Sequence, residues 1–293
     1  MSMNKLLALV LTLFVLLASA QGRANTSCEI SYPAKQSEID TRNDYPLELL
    51  QAILKATEAD FGQCALKAVG PFNQKRTKQA LLNRQVDIAW LPATASNNDR
   101  FLAIKVPLRK GLLGWRLLMV NTADVARFES VESLQDLQKF RTAFGADWQD
   151  LAVMKSNFDA MVLGSDYEQL FKMLHHGRFD FFSRGLHEVA DEIEYHKADG
   201  YDFSALGHLM LRYKAVDLFY LAPNNKELFA RIRKGMNAII VNGQFNELFY
   251  SYYAHYIEQA NMKDKAIFEL ENPDFPDEIE YKDPQLWFQL NDL

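Results

Sequence analysis

The residues of this sequence best suited to hold something are cations and aromatic rings placed beside short apolar runs. Arg42 and Tyr45 come after the run Cys28–Pro33. Trp90, Ser96 and Arg100 come at and after Val86–Leu91. Asp147 and Trp148 follow Thr142–Phe144, and Arg184 follows Phe179–Phe182. If the runs are strands of open α/β sheets, these residues fall at the carboxyl ends of strands, where such sheets take their ligands. Aromatic walls with a few placed charges suit a small polar solute. A guanidinium grips a carboxylate or phosphate through two parallel hydrogen bonds. Each residue also has a plainer reading: core packing for Trp90 and Trp148, and for Arg184 an ion pair with Glu188, one helical turn on.

Catalytic groupings do not emerge. There is no G-x-S-x-G elbow, no P-loop and no G-x-G-x-x-G phrase, so the spacings that build a nucleophile or a phosphate cradle are missing. Neither cysteine sits in a nucleophile context. His175 and His176 are adjacent and point in different directions on a helix. Glu192 and His196, one turn apart, read as a solvated helix face, and Asp147 with Asp150 as acids at a helix start, where they meet the positive end of the dipole. The expectation is a protein that is not an enzyme, with no cofactor and no metal.

The elements that must position these residues repeat a pattern. Cys28 to Pro33 alternates like a strand. Tyr45-Pro46 opens a helix with proline in its first turn, and Leu50, Ile53, Leu54 and Thr57 make its apolar stripe. Cys64–Val69, a helix over Lys75–Arg84 and the strand Val86–Leu91 complete β-α-β-α-β. A second copy runs from Thr142–Phe144 through helical Trp148–Ser156, Phe158–Leu163, a stripe of Tyr167, Leu170, Phe171 and Leu174, to Phe179–Phe182. Alternation of this kind predicts parallel sheets with crossover helices. Ile104–Pro107 with Gly111–Val120, and later Asp217–Pro223, are the segments expected to cross between two lobes. Two strong helices follow, separated by Asn242-Gly243, and then an irregular tail whose Trp287 and Phe288 are expected to pack onto a lobe.

Composition narrows the setting. The chain has 293 residues and a net charge of −6. An acidic chain without a basic block is a poor partner for nucleic acid and lacks the polybasic helix that holds a protein on a membrane surface. One lysine, the apolar run Leu6–Leu17 and Ala18-Ser19-Ala20 form a secretory signal, cleaved after Ala20, with Ala24 as the alternative. The run is shorter than the roughly 20 residues a bilayer span needs. Asn25-Thr26-Ser27 before Cys28 is no lipobox, so the exported protein is expected to be soluble in a periplasm. Its two cysteines, Cys28 and Cys64, both begin expected strands. In an oxidising compartment such a pair forms one disulfide.

Several phrases carry a family resemblance: Arg42-Asn43-Asp44-Tyr45-Pro46, the run from Pro107 to Arg116, Leu170 to Leu174 leading into Gly177-Arg178-Phe179-Asp180, Phe182-Ser183-Arg184-Gly185, Leu270 to Pro273, and Leu286-Trp287-Phe288. In these the chain resembles bacterial extracellular solute-binding proteins of the amino-acid-binding type (family 3), within a branch of periplasmic transporter substrate-binding proteins. The resemblance implies two α/β lobes of the type II periplasmic binding fold, joined by a two-stranded hinge. Lobe 1 would hold residues 25–116 and 219–293, and lobe 2 residues 117–218. It also implies an arginine twelve residues after the strand aspartate. Counted from Asp87, that place holds Asp99, with Ser96 in the threonine place and Arg100 one residue late. The aspartate expected eight residues after Gly177 is Gly185, with Arg184 beside it. A cation where the family puts an anion argues against an ordinary amino acid, because an unpaired buried charge costs several kcal/mol.

The function expected from these residues is capture of a small polar solute, anionic or amino-acid-like, by closure of a monomer's lobes. Delivery would be to an inner-membrane ABC permease or a sensor. The alternative is a periplasmic interaction protein whose cleft is vestigial and which binds a protein partner or a cell-wall fragment.

Overall fold

The computed structural model describes residues 28–35, 43–148, 150–277, 279, 283 and 285–290. The expected export signal, both cleavage positions and Arg42 lie outside them. In chain order the strands are β1 (Cys28–Pro33), β2 (Cys64–Val69), β3 (Ile88–Pro92), β4 (Leu102–Ile104), β5 (Trp115–Asn121), β6 (Thr142–Gly145), β7 (Met161–Gly164), β8 (Phe181–Gly185), β9 (Phe203–Ala205), β10 (Leu209–Arg212), β11 (Asp217–Leu221) and β12 (Ala266–Glu269). The helices used below are α1 (Asp44–Ala56), α2 (Gln74–Leu82), α3 (Ala95–Arg100), α4 (Leu151–Asn157), α5 (Tyr167–His175), α6 (Val189–Lys197), α7 (Lys226–Val241) and α8 (Gln244–Gln259).

In the first lobe β1 and β2 run parallel with Cys28 opposite Cys64, and the two cysteines are joined as a disulfide. The helix α1 carries its proline in the first turn and buries Tyr45, Leu49, Leu50, Ile53 and Leu54 along one face. Asn73 caps α2 by accepting from the Arg76 amide at 2.9 Å, which satisfies one of the orphan donors of a helix start. β1 reaches β3 through Asp87: its carboxylate accepts from the Ser31 amide at 2.8 Å and from the Ser31 hydroxyl, and its own amide donates to Ser31 O at 2.9 Å. The strand aspartate of the sequence pattern is thus a clasp between neighbouring strands.

Each lobe was expected to be a mostly parallel sheet flanked by helices, and the α/β architecture is as expected, with antiparallel strands added where the chain changes lobes. β11 lies between β3 and β4 and is antiparallel to both, because the chain enters it on returning from the other lobe. Asp217–Leu221, expected as part of a crossing, is therefore the middle strand of this sheet. The crossing itself is confined to the residues between Arg212 and Asp217. The second sheet has seven strands. β6 is parallel to β7 and β8, β5 is antiparallel to β8, β9 and β10, and β12 lies on the edge beside β10.

Two passages of the chain, 107–115 and 212–217, join the lobes and are bolted to each other. Leu108 N donates to Asp217 O at 3.1 Å and Tyr213 N to Gly114 O at 3.1 Å. The Arg109 guanidinium is paired with the Asp217 carboxylate, both buried. A Cβ at position 114 would stand 1.8 Å from the Tyr213 carbonyl oxygen, so the backbones can meet here only at glycine. The apolar interior is continuous through this region: one cluster includes Leu49, Ile53 and Phe249 of the first lobe together with Met119, Phe171 and Phe182 of the second.

The chain passes between the lobes twice more. After α8, Ala266–Glu269, expected with lobe 1, extends the second sheet, held by Ala266 N to His208 O at 2.8 Å and Leu270 N to Arg212 O at 2.8 Å. The tail then returns, burying Ile279 and Trp287 in a first-lobe cluster with Leu81, Val86 and Leu91. Phe288 N donates to Lys110 O at 2.8 Å, and the Phe288 ring meets Trp115 edge-on at 5.7 Å. Gly111, at φ +76°, leaves room for the Trp287 ring, which a Cβ would approach to 2.5 Å. The expectation that Trp287 and Phe288 pack onto a lobe holds.

Trp287 is 4% exposed. Trp287→Ala removes a buried indole from the hinge and is expected to cost about 3–5 kcal/mol, read from the urea midpoint at unchanged m-value.

Candidate functional site

Arg184 is the last residue but one of strand β8 and is 3% exposed. Trp148 and Phe182 lie 5.0 Å from its guanidinium carbon and Tyr167 lies 5.4 Å away. The indole stacks on Phe182, its plane 16° from that ring. Trp148 can fold back over β6 because position 145 is glycine; a Cβ there would meet the indole at 2.4 Å. Two carboxylates close the box. Glu192 takes a two-pronged contact, with Arg184 Nε to its Oε2 at 2.8 Å and Nη2 to its Oε1, and the Tyr167 hydroxyl donates to the same oxygen. Glu188 stands at 3.2 Å from Nη2.

These contacts correct two expectations. Glu192 and His196 are 9% and 2% exposed, so the face of α6 they occupy is packed rather than solvated: Glu192 neutralises Arg184, and the His196 ring lies on Phe171 at 4.0 Å. The plainer reading of Arg184, an ion pair with Glu188, is what the structure shows, with Glu192 added, so the argument against an ordinary amino acid loses its uncompensated cation. Gly185 is part of the reason. Its amide donates to Glu188 Oε2 at 2.9 Å, and a Cβ there would stand 2.6 Å from that oxygen. With no side chain at this place, the carboxylate arrives from Glu188, three residues later.

Beside this box, where the lobes meet, lie groups that the sequence reading passed over. Arg116, opposite Gly185 in the β5–β8 ladder, is 6% exposed. Among the described residues its Nη1 reaches Leu113 O at 3.4 Å, its Nη2 lies 3.7 Å from Asp150, and its guanidinium stands 5.9 Å from the Tyr213 ring centre. No described residue accepts a hydrogen bond from its buried Nε. Asp150 is itself engaged by the Tyr213 hydroxyl at 2.6 Å. His187 lies edge-on to Tyr253 at 5.6 Å, and its Nδ1 also lacks a partner. Burial, reinforced by the charges of Arg109, Arg116 and Arg184 and opposed by Glu188, pushes the imidazole down to about 4, so it is neutral at pH 7. Burial would raise Glu188, but Arg184, His187, Arg116 and the Gly185 amide hold it well below the usual carboxylate range. Arg109 Nε donates to the Tyr253 hydroxyl at 2.8 Å, and Tyr256, also on α8, donates to Asp191 of α6 at 2.9 Å. The two lobes are thereby in contact in this structure.

The other expected site residues are placed differently. Trp90 is half-buried in the first lobe, its indole N–H donating to Asn43 Oδ1 at 2.9 Å and its ring beside Tyr32 and Phe219. Tyr45 is 1% exposed among Tyr252, Tyr253 and Phe249. Burial, with Tyr253 nearby, pushes its hydroxyl well above the ordinary value, and that hydroxyl has no hydrogen-bond partner. Ser96 and Arg100 are exposed on α3, with Arg100 against the Phe101 ring at 5.8 Å. Asp147 is exposed in the turn after β6. The structure therefore brings Trp148 and Arg184 together and leaves Trp90, Tyr45, Ser96, Arg100 and Asp147 outside that box. Two cavities lie along the hinge and tail. One of about 230 Å³ is lined by Lys110, Trp115, Arg212 and Trp287; a more open one of about 470 Å³ is lined by Arg212, Lys214, Glu269 and Asn272. Neither is lined by Trp90, Trp148 or Arg184. Among the described residues no group of three metal-ligating side chains comes together, and no helix is long and apolar enough to cross a membrane.

No protein-family model matches the sequence, and no curated protein matches it. Solved structures do. An ancestral arginine-binding protein bound to arginine is 15% identical, with a TM-score of 0.55 over 78% of this chain and 98% of its own. An amino acid ABC transporter substrate-binding protein from Streptococcus pneumoniae, bound to L-arginine, is 13% identical, with a TM-score of 0.55 over 80% of this chain and 97% of its own. A histidine kinase sensor domain with similarity to periplasmic binding proteins is 13% identical, with a TM-score of 0.54 over 78% and 96%. At these identities the likeness is one of fold: this chain has the two-lobed α/β fold of periplasmic binding proteins.

Two outcomes follow from the charges. Arg184→Ala strands the Glu188 and Glu192 carboxylates in a buried box and is expected to destabilise by about 3–5 kcal/mol, measured by chemical denaturation. With His187 titrating near 4 folded and 6.5 unfolded, the unfolded chain binds the extra proton between those values. Stability therefore falls as pH drops from 6.5 towards 4. His187→Gln is expected to flatten that slope in urea midpoints taken at pH 7 and pH 5.

Proposed function

We propose that this protein is a periplasmic solute-binding protein that closes its lobes on a small carboxylate-bearing solute and presents it to an ABC-type permease or a sensor. The observation that carries the reading is Arg116, a buried guanidinium between the lobes whose Nε is unpaired and whose remaining contacts are long. Burying an unsatisfied charged donor is costly. A ligand carboxylate arriving on Arg116 removes that cost, and the relief is gained only when the solute is bound. His187 Nδ1, a second orphan atom in the same field, supplies a neutral polar contact. Glu188, ionised and 21% exposed along its side chain, offers a partner for an ammonium, so an α-amino acid fits as well as a simple organic acid. Arg184 contributes through the Nη1 edge that no described residue hydrogen-bonds, with Trp148 as the wall beside it. The relatives bound to arginine support this reading by fold, and the sensor-domain neighbour supports the sensing variant of it. Export through the signal at residues 1–20 and a monomeric state complete the proposal.

The interaction-protein reading has one observation in its favour: the Arg184 box is filled by the protein's own Glu192, Tyr167 and Trp148. The two readings part on one experiment. A thermal-shift screen over amino acids and small carboxylates is expected to yield a ligand, since binding at 100 times Kd adds about 2.7 kcal/mol of stability. Titration of that ligand into Arg116→Ala is expected to lose roughly 2–4 kcal/mol of binding, a charge-assisted contact and its desolvated setting together. No hit in the screen, or unchanged affinity in Arg116→Ala, overturns the solute reading.

A further inference from the structure

A fourth buried guanidinium, after Arg109, Arg116 and Arg184, lies against the disulfide. Arg231 of α7 is 4% exposed. Four of its five N–H donors meet uncharged acceptors: Nε meets Thr57 Oγ1 at 3.1 Å, Nη2 meets Leu54 O at 3.3 Å and Gly62 O at 2.7 Å, and Nη1 meets Cys64 Sγ at 2.8 Å. Among the described residues no carboxylate is in ion-pair contact with it; Glu58, the nearest to act on it, is itself engaged by Lys55. Buried arginines elsewhere in this protein, Arg109 and Arg184, each have a carboxylate. Among the described hydrogen-bond partners of Arg231, Cys64 Sγ is the atom that can acquire a negative charge. In the disulfide that sulfur is neutral. Once the bond is reduced it becomes a thiolate already in hydrogen-bond contact with a guanidinium, and such surroundings lower a thiol's pKa.

The two sulfurs also differ in access. Cys28 is exposed, and Cys64 is half-buried against Arg231 of α7. Thiol–disulfide exchange is fastest when the departing sulfur is the better-stabilised thiolate, and the accessible sulfur is the one attacked.

From the contact between Arg231 and Cys64, we propose that the Cys28–Cys64 bond is an exchange site for a dithiol reductant, attacked at Cys28 with Cys64 as the leaving thiolate. A thiolate of the reductant bonds to Cys28 Sγ, the Cys28–Cys64 bond breaks, and its electron pair goes to Cys64 Sγ opposite Arg231. The reductant's second thiol, on losing its proton, attacks its own sulfur in the mixed disulfide and releases Cys28, which takes up one proton. The dithiol is oxidised to its disulfide, the protein gains a Cys28 thiol and a Cys64 thiolate, and the second proton goes to water. The bond ties the first residues of β1 and β2, a two-stranded sheet of the first lobe, so its reduction leaves the hinge contacts in place.

Two measurements on the full chain test this. In Cys28→Ser, whose sole thiol is Cys64, iodoacetamide alkylation followed by mass spectrometry against pH is expected to show a midpoint at least about one unit below the ordinary thiol value of about 8.5. Arg231→Gln in the same background, with native circular dichroism, is expected to move the midpoint up. A midpoint at or above 8.5 with Arg231 in place overturns the proposal. In the wild-type protein, brief exposure to a monothiol followed by acid quenching is expected to leave the mixed disulfide on Cys28. Finding it mainly on Cys64 overturns the assigned direction of attack.

Discussion

Arg109 and Asp217 belong to different passages of the chain between the lobes, and each is almost fully removed from water where they meet. Two charges withdrawn from solvent in this way are tolerable only as a pair, and removing either leaves the other stranded. The two backbones are therefore obliged to run together, and the hydrogen bonds around Leu108 and Gly114 follow from that proximity. The rest of the inter-lobe layer is hung on this pair. Arg109 turns its Nε to Tyr253, Tyr253 lies against Tyr45 and His187, and His187 stands in the field of three guanidiniums.

Those guanidiniums are handled in different ways, and the differences separate scaffold from candidate site. Arg109 is neutralised by Asp217, and Arg184 by Glu192 with help from Glu188. Arg116 is left with distant partners and an empty Nε. A group fully satisfied by its own protein gains little from a newcomer, whereas an under-satisfied one gains the whole of the missing hydrogen bond. The proposed solute contact therefore rests on Arg116, on the strand beside Arg184 in the same ladder, more than on Arg184.

Much of the architecture was legible because it is written in short-range pattern. Alternation and helical stripes marked the β-α-β units. The two cysteines at strand starts foretold their pairing. The phrase Pro107–Arg116 turned out to contain Arg109, Gly114 and Arg116, the working parts of the hinge. What escaped depends on residues distant in sequence. Nothing local to Asp217–Leu221 says that it inserts antiparallel between β3 and β4, or that Ala266–Glu269 leaves the first lobe to edge the second sheet. Glu188, Glu192 and His196 spaced at one turn read the same whether water or Arg184 and Phe171 faces them. Asp87, read only as a landmark for counting, proved to be a strand clasp because its partner Ser31 lies on another strand. Arg42 remains outside the described residues, and Asp147 and Ser96 stand exposed, since the end of a strand specifies a neighbourhood and not a direction.

The tail that leaves α8 gives the molecule a property that the two bolted passages alone would not. Its edge strand is anchored in one lobe and its tryptophan in the other, so the chain passes between the lobes a third and fourth time. Leu270 N on Arg212 O and Phe288 N on Lys110 O place both anchors beside the two passages, and the Trp287 indole fills the place that Gly111 leaves open. The junction is thus a plugged seam rather than a pair of bare crossings, and shortening the chain before Trp287 would uncover apolar surface at the seam itself.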